Sequence, residues 1–316
     1  MGIQGRLASI EVKKEVTWGT APTGNDSVIP LRSASLKESS TFAAYDDLYH
    51  GSTGVVRGRA ELARDAGGAT SVLVGYTGML ILLEAMFGTN TTGGGGPYTH
   101  TMTMAEPGSL PSYTLRVKQG SSTHQYTLTG CRATRSTLRW KARQYTVLDQ
   151  EWIAQDGTLA SGSPGTPTIG SVCLPHHAGN VSWNGVSYTV FESLDWEIDR
   201  GLQRLPVIGD LKTAEPEPGG PSVARVTGSA RLTAAQYATL FASWKAGTQS
   251  SLTVTFTSGA ESIAMTLDNA QITDLRGDIT SSGPMLIGIT FEATHDGIGS
   301  DGMRAVVTNA NSSYLT

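Results

Sequence analysis

One segment of the chain carries acidic side chains at every second position. In residues 194–199 (LDWEID), Asp195, Glu197 and Asp199 alternate with apolar residues. In a β-strand this spacing places the three carboxylates on one face and the apolar side chains on the other. A face of this kind repels phosphate groups or pairs with a basic neighbour.

A second segment carries basic side chains with a related spacing. Four of them stand at odd-numbered positions, with Arg132 just before them: Arg135, Arg139, Lys141 and Arg143. Only Trp140 and Tyr145 supply nearby aromatic rings, whereas single-strand nucleic-acid binders stack several bases. The net charge of −4 also argues against a protein that grips phosphates. We therefore favour pairing of this face with acidic residues of a neighbouring subunit or ring over DNA binding.

Other residue groups that could do chemistry have simpler interpretations. Gly93–Gly96 lacks the Lys-Ser/Thr of a phosphate-binding loop and predicts a turn. His176 and His177 are adjacent, so an extended chain directs them to opposite sides, and no further ligand stands at metal-site spacing. Asp46 and Asp47 form an isolated pair. The sequence predicts no enzyme activity, no cofactor and no metal site.

Cysteine content and hydropathy indicate where the chain is made. Cys131 and Cys173 are too few for a disulfide framework, and the first residues (MGIQGRLASIEVKK) lack the apolar core of a secretory signal. The longest apolar run, Met79–Phe87, is too short to span a bilayer. We expect a soluble chain synthesised in a cytoplasm.

The segments that position these residues are repeated. A V-x-G-x-A-x-L pattern occurs at Val56–Leu62 and again at Val226–Leu232, and each copy precedes an apolar helix pattern that ends in glycine. Further correspondences follow in the same order: Tyr76–Phe87 with Tyr237–Ala246, Leu115–Val117 with Leu252–Val254, Tyr126–Gly130 with Met265–Asn269, and Val147–Ala154 with Ile287–Ala293. The chain therefore predicts two tandem, mainly β domains, each with one flanking helix.

The boundaries follow from composition. Residues 1–160 form the first domain with an N-terminal arm, and the Gly-, Ser- and Pro-rich stretch at about 156–171 is the predicted linker. Residues 172–296 form the second domain, and residues 297–316 are a C-terminal extension with no counterpart in the first half. In the second domain, Thr233 and Gln236 have capping-box spacing, and Tyr237, Leu240, Phe241 and Trp244 form one apolar stripe expected to pack on the sheet.

Each half also contains a long excursion before its V-x-G-x-A-x-L pattern. Residues 39–54 form the first excursion and residues 203–222 the second. In the second, Leu205, Val207, Ile208 and Leu211 are unusually apolar for free solvent. We interpret both excursions as arms that dock on neighbouring subunits or rings; flexible surface loops are the alternative.

The order and repetition of these parts carry a resemblance. The opening ASIEVKKEVTWGTAP, the V-x-G-x-A-x-L strand and the arrangement of both halves resemble the major tail tube proteins of long-tailed bacteriophages, in the larger form with a duplicated tube domain. The resemblance implies a β-sandwich or half-barrel with one flanking helix per domain, and long inter-subunit loops. Single-domain members form six-membered rings, so a duplicated chain implies trimeric rings with pseudo-sixfold symmetry.

The resemblance also implies partners. Rings would stack into a tube around a tape-measure protein, meet tail-end proteins, and later conduct double-stranded DNA without binding it specifically. The expected location is the virion tail, after assembly in the host cytoplasm. In that setting Asp195, Glu197 and Asp199 are candidates to line the lumen; an outer wall or a basic neighbour is the alternative.

The low charged fraction, 16% against about 25% in average soluble domains, fits a surface covered by neighbouring subunits. An uncharged, wet surface remains the alternative. Two other functions also stay open on the residues alone. One is a glycan- or receptor-binding β-sandwich of a virion, and the other is a capsid decoration protein.

Overall fold

The computed structural model describes residues 8–24, 27–44, 58–76, 78–118, 124–161, 165, 174–175, 177, 179–277, 286–294 and 302–312. The fold in these residues is mainly β, as predicted, with two α-helices and a short 3₁₀ helix at Pro107–Ser109. The sheets are open rather than closed into barrels.

The elements of the first half are β1 (Ser9–Lys14), β2 (Ser27–Pro30), β3 (Ser33–Ala34), β4 (Lys37–Ala44), β5 (Arg59–Leu73), α1 (Leu80–Phe87), β6 (Thr91–Gly93), β7 (Tyr98–Thr103), β8 (Tyr113–Lys118), β9 (His124–Lys141), β10 (Val147–Ala154) and β11 (Asp156–Ser161). Those of the second half are β12 (Gly179–Trp183), β13 (Val186–Tyr188), β14 (Phe191–Asp199), β15 (Leu202–Pro206), β16 (Thr213–Pro218), β17 (Val223–Ala230), α2 (Ala234–Ala246), β18 (Gln249–Ser258), β19 (Glu261–Gly277), β20 (Ile287–Ala293) and β21 (Met303–Asn309).

One antiparallel sheet runs through both halves, and we call it the shared sheet. Its order is β4–β5–β10–β9–β14–β17–β20–β19, with β3 also beside β5. Only the later parts of the long strands β9 and β19 belong to it. The two halves meet where β9 pairs with β14, and we call this pairing the internal seam.

The earlier parts of β9 and β19 turn into two outer sheets. The first outer sheet has the order β2–β1–β8–β9–β11. The second has the order β13–β12–β18–β19–β21–β7–β6. Apolar side chains between the shared and outer sheets form one buried cluster that extends through both halves. Burial of this cluster is the main stabilising contribution to the fold.

Strand register confirms most of the predicted internal correspondence. Leu115 lies opposite Leu128 in the first half, and Leu252 lies opposite Leu267 in the second. All four are fully buried. Because both pairs occupy the same place in equivalent strand pairs, the two outer sheets are built on one pattern.

The bend of each long strand is also repeated. Gly130 and Asn269 both have left-handed backbone, with φ of 64° and 48°, a conformation that Gly and Asn adopt at low cost. A β-bulge follows in each strand and leaves Thr134 and Thr273 outside the ladder. Each threonine hydroxyl donates to a carbonyl of the neighbouring strand, Glu151 O at 3.2 Å and Thr290 O at 3.5 Å. The bulge marks equivalent positions in the two halves.

The V-x-G-x-A-x-L correspondence was wrong. Phe291 lies opposite Val226, and the equivalent Trp152 lies opposite Gly68 rather than Val56. The strand that matches Val226–Leu232 therefore begins at Gly68. Among the described residues of the first motif, Ala60 pairs with Ala43 in the outer part of the β4–β5 hairpin. The equivalents of Gly228 and Ala230 are then Thr70 and Val72, so the structurally matching stretch of β5 does not carry the motif.

The two helices differ in burial. Every residue of α1 is buried, including Glu84, which accepts from Lys14 Nζ at 2.6 Å. Helix α2 begins with the predicted capping box of Thr233 and Gln236 and ends at Gly247 in left-handed conformation.

The apolar stripe of α2 is buried only in part, which corrects the expectation that all of it packs on the sheet. Leu240 is buried, and Tyr237 and Phe241 are partly buried and pack against the core cluster, whereas Trp244 is 36% exposed. The aromatic rings also contact one another, with centroids 5.9 Å apart for Tyr237 and Phe241, and 5.4 Å apart for Phe241 and Trp244. Helix α2 therefore presents aromatic surface to solvent in the single chain.

The final strand corrects the expectation that residues 297–316 lack a counterpart. Strand β21 follows β20 and pairs with the early part of β19, as β11 follows β10 and pairs with the early part of β9. Strand β21 additionally pairs with β7 of the first half. The predicted linker, about 156–171, thus begins with strand β11, and most of its remainder lies outside the described residues. The domain limits at 160, 172 and 296 stay predictions.

Candidate functional site: the polar face of the shared sheet

The predicted acidic alternation is present on β14. Leu194, Trp196 and Ile198 are at most 1% exposed and face the core, while Asp195, Glu197 and Asp199 lie on the opposite side. We call this opposite side the polar face of the shared sheet. It continues on β10, β9 and β17 through Asp149, Glu151, Arg135, Thr137, Arg139, Lys141, Arg225 and Thr227.

The predicted basic group lies on the adjacent strand. Along the internal seam, Lys141 is opposite Ser193, Arg139 is opposite Asp195, and Arg135 is opposite Asp199. The acidic and basic segments are therefore neighbours on one face of the same chain, which neither segment indicated by itself.

Two residues of the predicted basic group do not lie on the polar face. Arg143 is in the turn after β9, with φ of 62°, and is not part of the strand face. Arg132 precedes the bulge and is buried, and its guanidinium donates to Pro216 O at 3.2 Å and to the Glu215 carboxylate. Arg132 therefore joins the first half to strand β16 of the second.

Glu197 is the centre of the charge arrangement. Its two carboxylate oxygens accept from Arg135 and Arg225, each at 2.9 Å. The Glu197 carboxylate raises the pKa of Arg135, and Arg139 forms a separate ion pair with Asp149 at 3.3 Å. Most basic charge on this face is thus balanced within the chain.

Asp195 has a less favourable position. Desolvation raises the pKa of its carboxyl, Arg139 opposes this rise, and the charges of Asp149 and Glu197 add to it. The four groups surround an open depression of about 600 Å³. Carboxylates and guanidinium groups alternate across its wall, so the surface offers neither a uniform anion site nor an apolar pocket.

The second excursion forms the β15–β16 hairpin. Its predicted apolar residues are not equivalent, because Leu205 is half-buried while Val207, Leu211 and above all the fully exposed Ile208 face solvent. The hairpin rests on the first half, where Arg64 N donates to Leu211 O at 2.8 Å and Lys212 pairs with Asp156 at 2.6 Å. Only its tip extends free of the chain. Of the first excursion, residues 45–54 lie outside the described residues.

The comparisons assign this architecture to a family. Residues 5–294 match the family model of the phage tail tube protein. The chain belongs to that family. It is a structural component of a virion tail, and its family assembles into a tube. No curated protein matches the chain.

The other residue groups considered in the sequence lie only partly within the described residues. Within the described residues, no cluster of His, Cys, Asp and Glu could hold a metal ion. Gly93 is the last residue of β6, and Gly94 to Gly96 lie in the connection that reverses the chain into β7, in line with the predicted turn. His176, Asp46, Asp47 and Cys173 lie outside the described residues. No described helix has the length and hydropathy needed to cross a membrane.

Sequence reasoning missed two residues that join the halves. Arg200, directly after β14, is 1% exposed and donates to Ala105 O and Met86 O at 2.9 Å and to Phe87 O at 2.5 Å. It thereby caps the C-terminus of α1. His100 on β7 is fully buried, and its Nε2 contacts Asn311 O at 2.9 Å beyond β21. A lone Arg or His has no spacing signal that would reveal such a role.

Proposed function

We propose that three copies of this chain close a ring with pseudo-sixfold symmetry, and that stacked rings form the tube through which double-stranded DNA leaves the virion. The observation that carries this proposal is the internal seam, in which two halves of the same topology join edge to edge through β9 and β14. In a ring of repeated units, each unit lies beside the next in the same arrangement. The second half lies beside the first in the position that a neighbouring subunit would occupy.

The polar face of the shared sheet is the candidate lumen surface. Acidic residues slightly outnumber basic ones on it, and Glu197 and Asp149 hold basic partners in ion pairs. DNA binding strength depends on unneutralised positive charge that displaces counterions. A face with balanced ion pairs and a small acidic excess lets phosphates pass without retention, which supports Asp195, Glu197 and Asp199 as lumen residues.

The free hairpin tip is the candidate inter-ring contact. Ile208 is fully exposed and Val207 is 45% exposed. Burying such a side chain against a neighbour is worth about 1.5–3 kcal/mol. The tape-measure protein inside the tube and the tail-end proteins at its ends complete the proposed set of partners, and assembly takes place in the host cytoplasm.

Ring closure is tested by electron microscopy of the purified chain. The proposal expects stacked rings or tubes whose end-on views contain three chains and six similar lobes. Lone chains at high protein concentration, or rings of six chains, would contradict it.

The lumen assignment needs a separate test, because Glu197 also holds two arginines. In Asp195→Lys tubes the ion pairs of Glu197 remain, and we expect slower DNA ejection from assembled particles. Glu217→Lys makes the same charge change at an exposed residue of β16, which is not a strand of the shared sheet, and should eject normally. Equal ejection rates from both assembled variants would remove the lumen assignment.

A further inference from the structure

The internal seam leaves one edge of each half without a partner strand in the described residues. The first half uses β9 at the seam, and its other edge is β3–β4, which pairs with β5 alone. The second half uses β14 at the seam, and its other edge is the end of β19, where Asp274–Gly277 pair with β20 alone. Exposed strand edges of this kind readily pair with another chain.

The repeat identifies which residue of each free edge corresponds to which residue of the seam. The bulged residues Thr134 and Thr273 are equivalent, so Arg135 of β9 corresponds to Asp274 of β19, and Thr137 corresponds to Arg276. The free end of β19 is therefore the second-half version of the β9 edge.

The free edge of the first half, strand β4, is aligned with β14 of the internal seam in the same way. Glu197 lies opposite Arg225, and Arg225 lies opposite Glu292. Glu292 corresponds to Ile153, which lies opposite Gly67, and Gly67 lies opposite Lys37. Lys37 of β4 is thus the first-half version of Glu197, and Ser39 is that of Asp199.

We infer that the end of β19 pairs antiparallel with β3–β4 of a second copy, with Asp274 opposite Ser39 and Arg276 opposite Lys37. This inference rests on the proposed ring and specifies its register. The resulting contact, which we call the ring seam, repeats the internal seam between chains. No other occupant of these edges would inherit its register from a pairing already present in the molecule.

This register places Arg276 directly opposite Lys37, and the Asp274 carboxylate beside them offsets the repulsion between these two cations. In the internal seam, Glu197 lies between Arg135 on the facing strand and Arg225. In the ring seam, Asp274 lies between Arg276, already 2.6 Å away on its own strand, and Lys37 of the next copy. One carboxylate between two cations is therefore common to both seams, although the strand that supplies it has changed. Reversed polarity disfavours a ring seam forming between the wrong pair of edges.

Cysteine cross-linking tests the register. Directly opposite residues in an antiparallel pair bring their Cβ atoms within about 4.5–5.5 Å, near disulfide range. Oxidised tubes of Ser39→Cys/Asp274→Cys should yield covalent dimers and trimers under denaturing conditions. Glu38→Cys/Asp274→Cys is the matched control, because Glu38 points to the other side of β4 and should not link. The single variants Ser39→Cys and Asp274→Cys show whether either new cysteine forms a cross-link with a native cysteine.

Charge reversal gives a second readout that does not need a cross-link. Asp274→Lys brings three cations together at the ring seam and should raise the concentration required for tube formation about tenfold or more. Adding Lys37→Glu restores a carboxylate between two cations and should recover most of the loss. A merely misfolded Asp274→Lys chain would not be rescued.

The outcomes separate this inference from the proposed function. Tubes that form normally, yet show no Ser39–Asp274 cross-link and no rescue by Lys37→Glu, would overturn the register while leaving the ring intact. Wild-type protein that forms no rings would instead count against the proposed function.

Discussion

Arg200 joins the two halves more directly than any ion pair on the surface, and its removal should be costly. Its guanidinium, supplied by the second half, donates to three carbonyl oxygens around the C-terminus of α1 in the first half. We expect Arg200→Ala to lower the free energy of unfolding substantially, because Met86 O and Ala105 O would lose their donor and a fully buried side chain would lose its packing.

The size of the loss follows from two opposing contributions. Phe87 O keeps Ala105 N as a donor at 2.8 Å, so Arg200→Ala leaves two carbonyls unsatisfied at about 1–3 kcal/mol each. Lost packing of the buried side chain adds roughly 2 kcal/mol, so the total is about 6 kcal/mol. Burial lowers the pKa of Arg200 to about 10, so holding its charge inside the fold costs about 3 kcal/mol at neutral pH. The difference predicts a net loss of about 3 kcal/mol for Arg200→Ala.

Denaturant unfolding of the isolated chain measures this loss. Arg231→Ala is the matched control, since Arg231 is exposed and pairs with Glu192 at the surface, where such pairs contribute at most about 1 kcal/mol. Arg200→Lys keeps the charge and should lose less than Arg200→Ala. The reasoning is refuted if Arg200→Ala and Arg231→Ala have the same unfolding free energy.

Three further predictions concern local features. The raised pKa of Asp195 means that its ionised form weakens the folded state above the unfolded-state value of 3.8. Asp195→Asn should therefore raise the denaturation midpoint at pH 7, and a gain that persisted at pH 3 would contradict this cause. His100→Ala removes buried contacts to Asn311 and the end of β21, so hydrogen exchange of residues 303–309 should accelerate while that of β14 does not. Gly130→Ala should lower the melting temperature, because the added Cβ would lie 2.9 Å from Gln155 Cβ in left-handed backbone. Asn269→Gly, at the equivalent bend, should leave the melting temperature nearly unchanged. Equal decreases in melting temperature for Gly130→Ala and Asn269→Gly would refute the inference that both bends need a left-handed backbone.

Patterns within one strand were readable from the sequence. The alternation in 194–199, the capping box of α2 and the strands around Leu115 and Leu252 each depend on neighbouring residues, and the structure confirms them. The V-x-G-x-A-x-L correspondence failed because the matching stretch of β5 carries Thr70 and Val72 where the motif has Gly and Ala. The pattern by itself does not specify which stretch is equivalent.

Relations between strands distant in sequence were not readable. The acidic and basic segments interpreted separately belong to one face, because β9 pairs with β14 across the boundary of the halves. No local periodicity reports which edge a strand will pair with. The partial exposure of the α2 stripe was missed for the same reason, since it depends on what the rest of the fold leaves uncovered.

Strand β21 has a consequence for how the chain matures. It pairs with β7 of the first lobe, and the contact between His100 and Asn309 joins positions 209 residues apart. During synthesis the β7 edge stays without this partner strand until β21 has left the ribosome, because β21 follows the other strands of the second half. A chain terminated before β21 would carry an uncovered β7 edge, which is open to pairing with other strands.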